Sequence, residues 1–344
     1  MTLLASSPRA DGFLMPAEWA PQRRVWMAWP LRPDNWRDQA RPAQQAFAAV
    51  ANAISDYEDV AMVVPAGGLK DAGRLLSARV ERLAAPTNDA WLRDIGPTFV
   101  RSVQGERRAV DWVFNAWGGL QGGLYQPWDD DDALAARIAD ACGVSRYRAP
   151  LVLEGGSIHV DGEGTCLTTE ECLLNANRNP TLSRDEIEHH LRDYLGVEQI
   201  LWLGRGLVDD ETDGHVDNLC CFLRPGVVAL SWTEDRSDPQ RAVCEDAWQR
   251  LREARDARGR ALEIVKLPMP REALRMTLVE AAQVEHVPGT RPREAGARLA
   301  ASYVNFLVCN GAVIIPAFGD HHDDTARGIL AEQFPGRDVR QLHG

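Results

Sequence analysis

Four times along this chain a strand-forming apolar run turns sharply and comes back, and each time a knot of polar residues stands at its leading edge. The first spans 91–114, where WLRDIGPTFV turns at SVQGERR and returns as AVDWVF. The second is LVLEGGSIHVDGEGTCLTT, turning at 161–164, and the third is GHVDNLCCFLRPGVVALSW, turning at 224–226. The fourth, SYVNFLVCNGAVIIPAF, turns at Asn310 and Gly311, a dipeptide that favours tight hairpins. With Asp94, Glu154, His215 and Asn305 as markers, the repeats lie 60, 61 and 90 residues apart. The gaps carry helical signals. Residues 44–54 and 134–141 place apolar side chains at three-to-four spacing, and 242–254 also reads as helix. In 181–194, Ser183 followed by Glu186 forms a capping box. Strands at 25–29 and 60–64 precede the first hairpin. A strand pair plus a helix every sixty residues fits a radial α/β array with one unit per blade. A single mixed sheet fed by unrelated hairpins fits the same periodicity.

No linker or low-complexity segment divides the 344 residues, which predicts one domain over 1–344. The formal net charge is −12, which argues against a nucleic-acid partner and suits a cationic ligand. The seven cysteines are odd in number and form no CxxC, a reduced, cytoplasmic usage rather than a disulfide framework. The opening MTLLASSPRADGF lacks the basic-then-apolar pattern of a secretion signal, and no apolar run approaches the ~20 residues of a membrane span. The expectation is a cytoplasmic protein with no membrane partner.

Three polar clusters carry the chemistry: Asn88 to Asp94, Glu154-Gly155-Gly156, and Glu211 to Asn218. Charged groups where strands enter a core are costly unless paired or functional. Strand alternation would put His215 and Asp217 on one face and Val216 on the other. Two carboxylates, Asp94 and Asp217, suit a planar guanidinium, each accepting two hydrogen bonds. His215 and Glu154 suit proton transfer, and Trp91 offers a flat face to a cation. Each piece also has a bland reading: a structural HxD, an Arg93–Asp94 salt bridge, a Glu-Gly-Gly turn. His215, Asp217 and the run 320–324 (DHHDD) are formal metal ligands, but no HExxH or zinc spacing occurs, and the run reads as a solvated helix start. No metal is expected.

Taken together, NDAWLRDIGP, DWVFNAWGG, EGGSIHVDG, ETDGHVDN and SYVNFLVCNG…IPAFGD resemble the agmatine deiminases, as do MPAEWAPQRRVWMAWPLRPDNWR and TTEECLLNANRNPTLS. The resemblance covers almost the whole chain. It implies the five-fold pseudosymmetric α/β propeller of ββαβ-type repeats found in the guanidine-modifying (pentein) superfamily. It implies hydrolysis of agmatine to N-carbamoylputrescine and ammonia without metal or organic cofactor, as a step of putrescine supply, in a homo-oligomer. Matched by motif, Asp94 and Asp217 would hold the guanidinium, Glu154 would support orientation and proton handling, and His215 would be the general acid/base. Trp91 would pack along the substrate, and Glu211 would face its distal ammonium. The family's nucleophile is a cysteine in a terminal Gly-rich segment of the type GGGNIHC. Here the chain ends in RQLHG, and none of its seven cysteines stands in such a context. The nucleophile is therefore expected after Gly344, and the chain is read as lacking its closing segment. Two rivals remain: a deiminase of free or peptidyl arginine, and a non-catalytic cation-binding relative. The acidic Asp209-Asp210-Glu211 stretch points toward an amine terminus rather than an α-carboxylate.

Overall fold

In a computed structural model of the chain, which describes residues 2–343, local chemistry sets the element boundaries. Helix Arg184–Leu195 begins at Ser183, whose side chain accepts from the Glu186 N–H while Glu186 reaches back to the Ser183 N–H. It stops at Gly196, which takes φ 70°, a left-handed conformation favouring glycine. Its apolar stripe of Ile187, Leu191 and Leu195 is buried.

The repeat predicted from sequence is present. Strands Thr98–Ser102 and Arg107–Val113 pair antiparallel, helix Leu134–Ala141 crosses, and Arg146–Val152 returns parallel to Arg107–Val113. His159–Val160 and Thr165–Thr169 form the next hairpin, followed by helix Arg184–Leu195 and parallel strand Gln199–Leu203. Cys220–Arg224, Val227–Trp232, helix Gln240–Glu253 and Glu263–Pro268 repeat the pattern. So do Leu307–Val308, Ala312–Ala317, helix Asp323–Gln333 and Asp338–His343. The helices are required because a parallel neighbour is reached only by a crossover. The fifth sheet, Val25–Ala28, Val60–Val64 and Val80–Ala84, is wholly parallel, with helix Arg41–Ile54 in its first crossover. Its middle strand is buried at every position, which explains the unbroken apolar run VAMVV.

Buried clusters join each sheet to the next. Ala28 and Val63 pack with Phe114 and Leu134, and Val110 and Tyr147 with Val160 and Cys166. Leu167 and Leu201 pack with Phe222 and Leu230, and Cys221 and Ala229 with Tyr303 and Val313. Cys309 and Ala312 then pack with Val25 and Val60 of the fifth sheet. Among the described residues no helix is long and apolar enough to cross a membrane.

The polar clusters are not strand ends as expected. Leu92–Ile95 is a short helix, and Gly155–Ser157 and Val216–Asn218 are 3₁₀ turns. The alternation argument for His215 and Asp217 is thereby corrected: a 3₁₀ turn has no two-residue period. Val216 enters the core, as that argument expected, but through the turn. Residues 151–153 also belong to the strand of one sheet or its end, so Glu154 stands at the crossing between two sheets rather than inside one hairpin.

Candidate active site

Three of these turns meet at Gly156. A Cβ built there would lie 2.5 Å from His215 Nδ1, 2.7 Å from Asp217 Oδ2 and 2.9 Å from Asp94 Oδ1. Only glycine leaves that space open, and it is the close approach of side chains that requires it. Asp94 is held by other segments and His215 by its own loop. Asp94 Oδ1 accepts from the Gly156 N–H at 2.8 Å and Oδ2 from Trp117 Nε1 at 3.0 Å. The His215 N–H donates to Asp210 Oδ2 at 3.2 Å, which holds the entry to its turn. The ring's Nδ1 lies 3.9 Å from Asp94 Oδ2, and Nε2 lies 3.7 Å from Glu154 Oε2. Asp217 Oδ1 is buried without a partner among the described residues.

Glu154 is fully buried, and so is the Arg178 side chain that pairs with it, Nε to Oε1 at 2.7 Å. Arg178 also donates to the Trp117 and Thr212 carbonyls, at 2.9 Å each, and pairs with Asp213 at 2.8 Å. It thus ties together the segments that bring Asp94, Glu154 and His215 into register. Sequence reasoning missed it. A lone arginine in NANRNP carries no spacing signal, and its partners come from three remote segments. Trp117 was missed for the same reason. The bland reading of Arg93 and Asp94 as a salt bridge is not met among the described residues: Arg93 pairs with Glu18 and donates to the Gly155 carbonyl at 3.1 Å.

The electrostatics follow from burial. Burial raises the Asp217 carboxyl to about 7, and His215 only partly offsets this. Asp94 is raised for the same first reason. Burial also works to raise Glu154, but Arg178 and His215 outweigh it and hold the carboxyl below its ordinary range. For His215, burial opposes the charged ring, yet Asp94, Cys172 and Glu154 carry its pKa well above the usual imidazole value. Burial and the neighbouring charges therefore favour the charged His215 ring and the ionised Glu154 and disfavour ionisation of the two aspartates.

Trp91 lies at the surface, 43% exposed, against Trp36 at 5.2 Å between ring centroids and Phe47 at 6.0 Å. Trp36 Nε1 and Asn35 Nδ2 both donate to buried Asp89. The Glu211 carboxylate is ion-paired with Arg293, which also donates to Asn35 Oδ1, a partner that the sequence reading did not foresee. The 320–324 run opens helix Asp323–Gln333, where Asp323 accepts from the Phe318, Gly319 and Asp320 N–H groups.

One expectation about the cysteines is corrected outright. The chain was read as lacking a cysteine for the site, because none of its seven lies in a GGGNIHC-type segment, yet Cys172 places its thiol within 4.8 Å of both Glu154 and His215. All seven cysteines are free thiols.

Residues 14–344 match the family model of the Porphyromonas-type peptidyl-arginine deiminases. An agmatine deiminase of Pseudomonas aeruginosa (strain LESB58) is 54% identical over 341 residues, covering 98% of this chain and 92% of that protein. The solved agmatine deiminase of Enterococcus faecalis superposes with a TM-score of 0.97 at 46% identity, covering 100% of this chain and 94% of that one. A cysteine-to-serine variant of the C. jejuni agmatine deiminase, solved with substrate bound, superposes with a TM-score of 0.81 at 26% identity, over 96% of this chain and 90% of that one. On this sequence and fold likeness, the chain belongs to the Porphyromonas-type peptidyl-arginine deiminase family and groups with its agmatine deiminases.

Proposed function

We propose that this protein hydrolyses agmatine to N-carbamoylputrescine and ammonia. The observation that carries the reading is the space over Gly156. Two buried carboxylates and an imidazolium face it, and Asp217 Oδ1 has no partner among the described residues. A planar cation with several N–H donors satisfies both aspartates and lowers their pKa values as it binds. In this reading Asp94 and Asp217 fix the guanidinium plane, which supplies orientation. A cysteine thiolate adds to the guanidinium carbon, and the departing ammonia takes its proton from His215. The S-alkylthiouronium left behind is attacked by a water that His215, now neutral, deprotonates. The C–S bond then breaks and the thiolate is released. Glu154, kept ionised by Arg178, holds the His215 ring in place through both steps and stabilises it whenever it is charged. The described cysteines do not suit the nucleophile's role. Burial pushes up the thiols of Cys142, Cys166, Cys172, Cys220, Cys221, Cys244 and Cys309, the reverse of activation.

We further read the five sheets as blades of a pseudo-fivefold α/β propeller. The support is the packing of each sheet on the next, with the last on the first. Its ring of inner turns would form the pocket. In the cell we place the protein in the cytoplasm, as a homo-oligomer serving putrescine supply. The test is ammonia release by the full-length protein from agmatine, arginine and a peptidyl-arginine side by side. Agmatine is expected to be the preferred substrate by at least tenfold in kcat/KM. Faster turnover of either arginine substrate overturns the assignment.

A further inference from the structure

Cys172 belongs to the short helix Glu170–Leu173, capped by Thr169. Thr169 Oγ1 accepts from the Cys172 N–H at 3.2 Å and donates to the Gly214 carbonyl, immediately before His215, at 2.7 Å. Glu171 Oε2 accepts from the Gly206 N–H at 2.8 Å, and a Cβ on Gly214 would lie 2.5 Å from that same oxygen. The helix is thus bolted to the loop that carries the histidine. Its thiol, a His215 ring nitrogen and a Glu154 carboxylate oxygen all lie within 4.8 Å of one another, and all three residues are buried. Glu154 Oε2 and His215 Nε2 face each other at 3.7 Å, and neither makes a hydrogen bond of ordinary geometry among the described residues.

The groups around the imidazole come from separate elements. Asp94 comes from helix Leu92–Ile95, Glu154 from before the Gly155 turn, Cys172 from its helix and Asp217 from the ring's own turn. Arg178 backs Glu154, and Arg93 acts on Asp217. The thiol lies within 4.8 Å of both a Glu154 carboxylate oxygen and a His215 ring nitrogen, so it stands beside the Glu154–His215 contact. A thiol is a weak donor and otherwise a small hydrophobe. It fills this corner without competing for Oε2. A hydroxyl there would donate strongly to the carboxylate, and a methyl would leave room for water. Either would take from the imidazolium its share of Glu154.

We infer that Cys172 is a positioning residue for the His215 proton: its thiol keeps the Glu154–His215 contact dry and unshared, so that the ring stays charged and exchanges protons only on the side that faces Gly156. The inference deepens the proposed reaction and rests on it for its purpose.

The test is the titration of His215 by nitrogen and carbon NMR of histidine-labelled protein, assigned against His215→Gln. It needs no turnover, so it fails or succeeds separately from ammonia release. Cys172→Ser is expected to lower the His215 pKa by about one unit, one hydrogen bond's worth of competition. Cys172→Ala is expected to lower it by less. In active full-length protein the basic limb of kcat should move down by the same amounts, with agmatine KM nearly unchanged. An unaltered His215 pKa in either variant that folds overturns the inference and leaves Cys172 a packing residue. For the unmodified protein, the S–H infrared stretch should shift as His215 titrates. A stretch indifferent to that titration overturns the inference too, even if neither variant folds.

Discussion

Glu154 and Glu211 are both glutamates paired with an arginine, and both bracket the same proposed substrate, yet the two pairs are governed by opposite conditions. The Glu154 and Arg178 side chains are 0% exposed, whereas those of Glu211 and Arg293 are 36% and 17% exposed. Water reaches Glu211 and screens the outer pair in part, although burial still lowers the Arg293 pKa, so its ions lose less on parting. The inner pair has no such alternative: removing either member strands a charge in the interior. What the contrast teaches is that two glutamates from separate motifs, both assigned to the substrate in sequence, divide into a rigid inner device and an exchangeable outer one.

The sharpest way to break the comparison is Arg178→Ala. Glu154 would keep its burial and lose its counter-ion, which should cost about 3–5 kcal/mol of stability by denaturant unfolding. Adding Glu154→Gln should recover much of that loss, since the stranded charge is then gone. A loss below about 1 kcal/mol for Arg178→Ala, the worth of an exposed pair, would erase the distinction between the two regions.

Next in size is Asp217→Asn. Losing a charge-assisted contact should weaken agmatine binding by about 1.5–3 kcal/mol, roughly ten- to a hundredfold in Kd by calorimetry. Asp94→Asn should behave alike. For Asp217→Asn the empty protein should melt higher above pH 7, because a buried carboxylate that resists ionisation has been replaced by a neutral amide. Unchanged affinity in both variants would remove the two aspartates from the site.

These residues also mark how far the sequence could be read. The hairpin–helix repeat was legible because period-two and period-3.6 patterns and the Ser183 box are local signals, and the helices expected at 44–54, 134–141 and 181–194 formed at Arg41–Ile54, Leu134–Ala141 and Arg184–Leu195. Asp94, Glu154, His215 and Asp217 were found as a set, although the geometry inferred for the last two was wrong. A 3₁₀ turn at Val216–Asn218 leaves no periodic trace in three residues. Arg178, Trp117 and Cys172 were invisible as site neighbours because each acts across long sequence gaps. The Arg293 partner of Glu211 was invisible for the same reason, at a separation of 82 residues.

A smaller effect sharpens the inner region further. The Asp217 carboxyl stands at about 7 in the fold against 3.8 ordinarily. Its pKa is raised, so between those values the folded protein binds more protons than the unfolded chain. This contribution to stability falls as pH rises through that window, and its penalty is complete above pH 7. Agmatine, needing the ionised form, should release a proton on binding near pH 6 and less near pH 8. Calorimetry in two buffers of unlike ionisation enthalpy counts that proton. No difference between buffers at pH 6 would mean that the aspartates are already ionised in the empty site.

The smallest expected effect tests the outer region. Glu211 already has a cation, so an incoming ammonium must share or displace Arg293 rather than fill a vacancy. For an exchange between half-exposed ions, Glu211→Gln should weaken agmatine by no more than about 1 kcal/mol, and it should narrow the preference over analogues lacking the distal amine. Arg293→Gln should act the other way, strengthening agmatine by a similar margin because the carboxylate is released. The two substitutions should not add: once Glu211 is neutral, removing Arg293 has nothing left to free. A double-mutant cycle on agmatine affinity, repeated with an analogue that has no amine, measures that coupling. If Arg293→Gln weakens agmatine instead, the arginine serves to hold the pocket's wall through Asn35, and Glu211 is part of that wall rather than a contact for the substrate.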